Sequence, residues 1–169
     1  MTKARTPYDT VVVSGGFDPV HIGHVRMILA AAEYGDVIVV ANSDSWLFRK
    51  KGFVFMPWNQ RKEILEALKG VIRVEWVDDH DETVCEALRR LKPTYFANGG
   101  DRKSDNVPEV QVCEELDIEM IWNVGGDKIE SSSDLVNKRR KKAPHPGIEK
   151  STEKQEWKKG YGRAKQSDK

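Results

Sequence analysis

Two cysteines, Cys85 and Cys113, are all that the 169 residues contain. So few thiols exclude a disulfide-built scaffold, and with no CxxC spacing they do not suggest a zinc site. Both fall in segments of helical pattern and read as reduced core thiols, which suits a cytoplasmic protein. Long apolar runs are missing as well. Stretches such as Val37–Ala41 are far too short to cross a bilayer, and the N-terminal MTKARTPYDT has no apolar segment of the secretory type. No internal repeat is evident. Neither sign of charge dominates, with a formal net charge of only +1.

That balance hides an asymmetry. From Lys138 to Lys169 there are 12 Lys/Arg against 4 Asp/Glu, whereas residues 1–137 carry 16 against 23. The basic end has a single branched aliphatic residue, Ile148. Such a segment buries too little apolar surface to offset chain entropy, so disorder is expected after about residue 142. The sequence therefore divides into a domain over 8–142 and a basic tail over 143–169.

Across the whole chain, 38% hydrophobic and 33% charged residues are enough for one sizeable core. Strand-like runs recur at Thr10–Ser14, Val37–Ala41, Ile72–Val77, Thr94–Ala97 and Ile118–Trp122. Helical patterns lie at Ile22–Tyr34, Asn59–Leu68, Thr83–Leu91, Pro108–Leu116 and Ser132–Arg140. The strands are mostly continuous apolar runs, the mark of burial on both faces. The pattern predicts an α/β fold: a doubly wound, Rossmann-like, five-stranded parallel sheet with helices on both faces. In such sheets ligands bind beyond the carboxyl ends of the strands, near the point where strand order reverses. The residues just after the strands are rich in glycine and polar side chains: Gly15 to His24, Asn42-Ser43-Asp44, Asp78 to Asp81, Asn98 to Arg102, and the serines at 131–133.

The first of these turns carries the most chemistry. Gly15 and Gly16 permit a sharp turn and close approach of a ligand. The start of the following helix offers backbone N–H groups and partial positive charge to a phosphate. His21 and His24, three positions apart, share one face of that helix and can donate to phosphate oxygens. Gly23 between them leaves room for a flat group against the helix. As metal ligands the two histidines lack a third partner nearby, and no metal site is read from them.

The string GGFDPVHIGH resembles the HxGH signature of the nucleotidyltransferase superfamily of cytidylyltransferase-like enzymes. NSDSWLFRKKG at 42–52, RKEILEAL at 61–68, KPTYFANGGDR at 92–102 and ESSSDLV at 130–136 are similar to segments of its heptose-phosphate members, so the resemblance spans roughly residues 10–137. It implies transfer of a nucleoside monophosphate from CTP or ATP to a small phosphorylated sugar or polyol, with release of pyrophosphate. Glycerol- and ethanolamine-phosphate relatives use CTP, and heptose-type relatives use ATP. His21, His24, Lys51 and Arg61 would be the catalytic residues. Gly15, Gly16, Phe17, Asp18, Gly23, Asn98, Gly100, Asp101, Arg102, Ser131, Ser132 and Ser133 would hold the nucleotide. Mg²⁺ would be bound mainly through the triphosphate, and a homodimer is expected. Asn98 and Phe48 stand where heptose-type relatives carry lysine, and Lys128 stands in for an arginine ahead of the serine loop.

Three further expectations follow. The segment Arg49–Phe55 is read as a lid that closes over triphosphate. Asp78, Asp79 and Asp81 read most simply as a solvated turn, and Phe53, Phe55 and Trp58 as apolar surface needing cover. The competing function is a non-catalytic nucleotide- or nucleic-acid-binding protein whose basic tail attracts polyanions weakly and without sequence preference. An aminoacyl-tRNA synthetase, which also uses a His-x-Gly-His element, is disfavoured by the short chain and the absence of a KMSKS-like string.

Overall fold

The computed structural model describes residues 6–100, 107–127 and 130–141. Asp101, Arg102, Lys128 and the tail 143–169 lie outside the described residues. The strands are β1 (Thr10–Gly15), β2 (Asp36–Ala41), β3 (Val71–Trp76), β4 (Tyr95–Ala97) and β5 (Glu119–Ile121). The helices are α1 (Ile22–Ala31), α2 (Asp44–Lys51), α3 (Trp58–Glu66), α4 (Cys85–Leu91), α5 (Glu109–Glu115) and α6 (Ser132–Lys141).

The sheet is all-parallel in the order β3-β2-β1-β4-β5. Alternate strand residues serve opposite faces, because successive side chains of a strand point to opposite sides. Val11, Val13, Val37, Val39, Tyr95 and Ala97 join Ile28 and Ala31 of α1 and Leu65 of α3 in one core cluster. Val12, Ile38, Val40 and Phe96 join Leu88 of α4 and Cys113 of α5 in the other. Both cysteines are free and buried in that second cluster. Two-sided burial is the physical reason the strands read as unbroken apolar runs. The order reverses between β1 and β4, so the crevice of this doubly wound sheet opens where Gly15-Gly16 and Gly99-Gly100 leave their strands.

One helix was not foreseen. Residues 44–51, expected as loop and lid, form α2. The Ser43 hydroxyl caps it by accepting from the Trp46 N–H at 3.0 Å, and Gly52 closes it in the left-handed conformation at φ 81°. Asp44 in the first turn and Arg49, Lys50 and Lys51 in the last suit the helix dipole. The segment beyond is anchored too, since the Asp18 carboxylate accepts from the N–H groups of Phe55 and Met56. The Trp58 indole N–H donates to the Ala41 carbonyl, and its ring packs on the first core cluster; it is part of the core and needs no cover. Phe55 remains exposed.

Asp79 corrects another expectation. It is 3% exposed and accepts from the Asn42 amide, the Ser43 N–H and the Ser43 hydroxyl. It ties the end of β3 to the start of α2, while Asp78 and Asp81 are exposed as expected.

Candidate active site

At the carboxyl edge of the sheet lies a cavity of about 290 Å³. Its floor is the β1 turn, from Ser14 to Asp18. His21, Gly23, His24 and Met27 of the α1 side form one wall, and Trp46, Leu47, Lys50 and Lys51 of α2 form another. Gly99-Gly100, the 124–127 loop and residues 130–133 complete it. Of the site residues expected from sequence, Gly15, Gly16, Phe17, Asp18, His21, Gly23, His24, Lys51, Gly100 and Ser131 to Ser133 are brought together here. Asn98 and Arg61 are not among the lining residues.

The histidines begin the helix as well as facing the cavity. His21 Nδ1 accepts from the Gly23 N–H at 3.1 Å, and His24 Nδ1 accepts from the His21 N–H at 3.2 Å. Two side chains thus satisfy backbone donors reciprocally, as a Ser and Glu do in a capping box. The backbone donors expected to meet phosphate are used within this cap: the His24 N–H also donates to the His21 carbonyl. The hydrogen bonds assign the tautomer: with Nδ1 accepting, the proton of each neutral ring sits on Nε2. The rings stack at 3.8 Å between centroids, and the Phe17 ring tilts against His24 at 4.8 Å. A Cβ at position 23 would lie 3.0 Å from His21 Cε1, so Gly23 makes room for the capping imidazole.

Burial first, and the neighbouring His21 second, pull the His24 pKa from 6.5 down to about 3. The imidazole is therefore neutral at pH 7. An unfolded chain binds this proton near pH 6.5 and the folded one does not until near pH 3. The stability that neutral His24 provides is complete above pH 6.5 and is lost as pH falls through that window. We expect the unfolding free energy measured in urea to decline from pH 6.5 to 5 with a slope approaching ~1.4 kcal/mol per pH unit. The slope should be absent in His24→Asn; parallel curves for the two proteins would contradict the assignment.

Lys51 is held by Asp18. Its ammonium donates to the Asp18 carbonyl at 2.6 Å and pairs with the carboxylate at 2.7 Å. The Asp18 side chain is fully buried and also accepts the two backbone N–H groups beyond α2. Its oxygens face the chain, and so Asp18 positions Lys51 instead of presenting a carboxylate to a nucleotide. Arg61 differs more sharply from its expectation. It is fully buried, with Nε donating to the Met56 carbonyl, Nη1 to the Gly16 and Asn42 carbonyls, and Nη2 to Asp44 at 2.6 Å. The guanidinium is a strut behind the β1 turn and does not reach the cavity. Asn98 is buried, and its amide nitrogen has no partner among the described residues.

At α6, Ser131 caps the helix by accepting from the Asp134 N–H, and the Ser132 hydroxyl donates to the Pro19 carbonyl at 2.9 Å. Sequence reasoning missed Gly125-Gly126, although they obey the same rule of looking just past each strand. A Cβ on Gly100 would lie 2.5 Å from the Gly126 carbonyl oxygen, so the turns after β4 and β5 touch backbone to backbone. Trp46 and Lys50 were missed because α2 was.

The Cytidylyltransferase-like family profile matches residues 12–142. The chain belongs to this family. Among relatives, the "Bifunctional protein HldE" of Streptomyces coelicolor is 35% identical over 116 residues, covering 67% of this chain and 25% of that protein. The FAD synthase of Ferroglobus placidus is 35% identical over 95 residues, covering 56% of this chain and 61% of the other. The chain thus spans about a quarter of the HldE protein and less than two thirds of the FAD synthase. A lipopolysaccharide core biosynthesis protein from Thermoplasma volcanium superposes with a TM-score of 0.59 at 20% identity, covering 72% of this chain and 98% of that one. At that identity it shows the fold alone, a Rossmann-like α/β sheet. No helix among the described residues is long and apolar enough to cross a membrane.

Proposed function

We propose that this cytidylyltransferase-like protein transfers a nucleoside monophosphate from ATP or CTP to a small phosphorylated sugar or polyol, releasing pyrophosphate. The observation that carries the reading is the pair of stacked imidazoles, each with Nδ1 committed to the helix cap and Nε2 protonated, on the wall of the strand-end cavity. An acceptor phosphate oxygen attacks the α-phosphorus in line, the α–β bridging oxygen leaves with pyrophosphate, and no covalent enzyme intermediate forms. His21 and His24 donate to the oxygens on which negative charge grows, Lys51 neutralises charge beside them, and Ser131 to Ser133 hold the outer phosphates. Such catalysis works through placement and preorganised charge. The Gly99-Gly100 turn would face the base and ribose.

Among the described residues no group of three or more His, Cys, Asp or Glu side chains could hold a metal ion. Asp18, the carboxylate deepest in the site, is already occupied by Lys51 and two N–H groups. A Mg²⁺ ion would be carried by the triphosphate oxygens. A homodimer belongs to the same proposal, with Phe48 and Phe55, 62% and 56% exposed, offering apolar surface to a second copy.

A pyrophosphate-release screen of each nucleoside triphosphate against phosphorylated sugars and polyols tests the reaction. Release that requires both one nucleotide and one acceptor is the expected result. Nucleotide binding without release for any pair would favour the non-catalytic alternative.

A further inference from the structure

Among the described residues that line the cavity, the permanent cations are Lys50 and Lys51. Neutral His24 brings a donor but no charge, and Arg61 is occupied behind the β1 turn. The two lysines are held in different ways. Lys51 is a fixed charge. Its side chain is only 13% exposed, its ammonium bonds the Asp18 carbonyl and carboxylate, and it lies 4.8 Å from the centre of the Phe53 ring. Drawing it toward a ligand would strip the fully buried Asp18 carboxylate of its cation, a costly change. Lys50 is an exposed residue in the last turn of α2. Its ammonium lies 4.3 Å from the centre of the Trp46 ring, one helical turn back on the same face.

The indole beneath that ammonium is itself placed. A Cβ on Gly16 would lie 3.5 Å from Trp46 Cζ3 and 2.9 Å from Leu47 Cδ2, so the ring packs against the β1 turn. It thereby holds the Lys50 charge beside the turn that floors the cavity. A cation–π contact is weaker than a charge-assisted hydrogen bond to a phosphate oxygen. Lysine's flexible stem lets the head leave the ring while Leu47 and the end anchors keep α2 in place. Resting on the transferase reading above, we infer that Lys50 is the phosphate-binding lysine of the site. When a triphosphate enters, the Lys50 ammonium passes from the Trp46 ring to the phosphate oxygens. Lys51, to which the family resemblance points, stays on Asp18 and acts from there through its field.

The probe is inorganic tripolyphosphate, which carries the anion without base, ribose or acceptor. Its Kd is measured by titration calorimetry at one salt concentration for the wild type, Lys50→Gln, Lys50→Arg and Trp46→Phe. We expect the Kd to rise about tenfold or more in Lys50→Gln, the scale of one lost hydrogen bond to a charged group, and to recover in part in Lys50→Arg. Trp46→Phe keeps a ring under the ammonium and should bind within about threefold of the wild type. Tryptophan emission follows the movement: saturating tripolyphosphate should shift it in the wild type but not in Trp46→Phe or Lys50→Gln. Thermal melts of the variants establish that they are folded. In the pyrophosphate-release assay the nucleotide KM should rise in the same order as the Kd. A Kd within about twofold of the wild type in folded Lys50→Gln, or a wild-type emission that tripolyphosphate leaves unmoved, overturns the inference while leaving nucleotidyl transfer standing. If no pair of substrates releases pyrophosphate, the transferase reading fails. The titrations then decide the role of Lys50 by themselves: binding that weakens in Lys50→Gln upholds it, and no binding to the wild type overturns it.

Discussion

Turnover of His24→Asn is expected to fall by ~10²-fold or more with the fold retained, the size associated with losing one preorganised donor at a developing charge. Asparagine is the informative replacement because its Oδ1 can stand where Nδ1 stands and accept from the His21 N–H, bonded at 3.2 Å in the parent. The helix cap survives and only the Nε2–H is lost. His24→Gln makes the complementary change, offering an amide N–H near the Nε2 position while giving up the cap acceptor. It should retain more activity than asparagine and lose more stability. Steady-state kinetics beside urea unfolding would separate the two roles. If both variants turned over near the parental rate while folded, His24 would be a capping residue and nothing more.

Arg61→Met should destabilise the protein by ~3–5 kcal/mol, the range seen when one partner of a buried charged network is removed. Three carbonyls, those of Gly16, Asn42 and Met56, and the Asp44 carboxylate lose their donor at once. Methionine fills much of the volume, so the loss reports polar groups left without partners more than a cavity. Lysine should recover only part of it, since one ammonium cannot match the planar fork that spans these acceptors. The measurement is chemical denaturation at neutral pH. A phosphate-binding arginine at the surface would behave in the opposite way, with stability within about 0.5 kcal/mol and a raised nucleotide KM. That pattern would return Arg61 to the role first expected for it.

These two residues mark where sequence reasoning succeeds and where it stops. The sheet was legible because burial on both faces leaves runs such as Val37–Ala41 with few polar residues, and the observed element ends differ from the expected ones by three residues or fewer. The place of the histidine pair at the strand-end cavity was legible, since the pair follows directly on a strand and a glycine pair. Their second duty as helix caps was not, because nothing local says that an imidazole replaces serine and glutamate there. Arg61 was misread for a different reason. A charged residue near a helix start is ordinarily solvated, and its burial here depends on carbonyls from segments up to 45 positions away. Asp79 was misread in the same way, since its partners Asn42 and Ser43 come from the end of another strand. Helix α2 left its trace in its caps, Ser43 and Gly52, but only Leu47 of its eight residues is buried, so no apolar periodicity announced it.

That last feature gives the fold a replaceable part. Helix α2 starts and stops on its own signals, and apart from Leu47 it adds little to either side of the sheet core. Its neighbours hold its ends from outside, Asp79 at Ser43 and Asp18 at Lys51. An engineer could therefore treat residues 45–50 as a cassette, keeping both anchors, Asp44 and Leu47 and varying the positions that face the cavity. Libraries confined to Trp46 and Lys50 would reshape one wall of the cavity while leaving the imidazoles in place. A chain built this way can remodel one wall of its cavity by drift in one short helix while its core stays as it was.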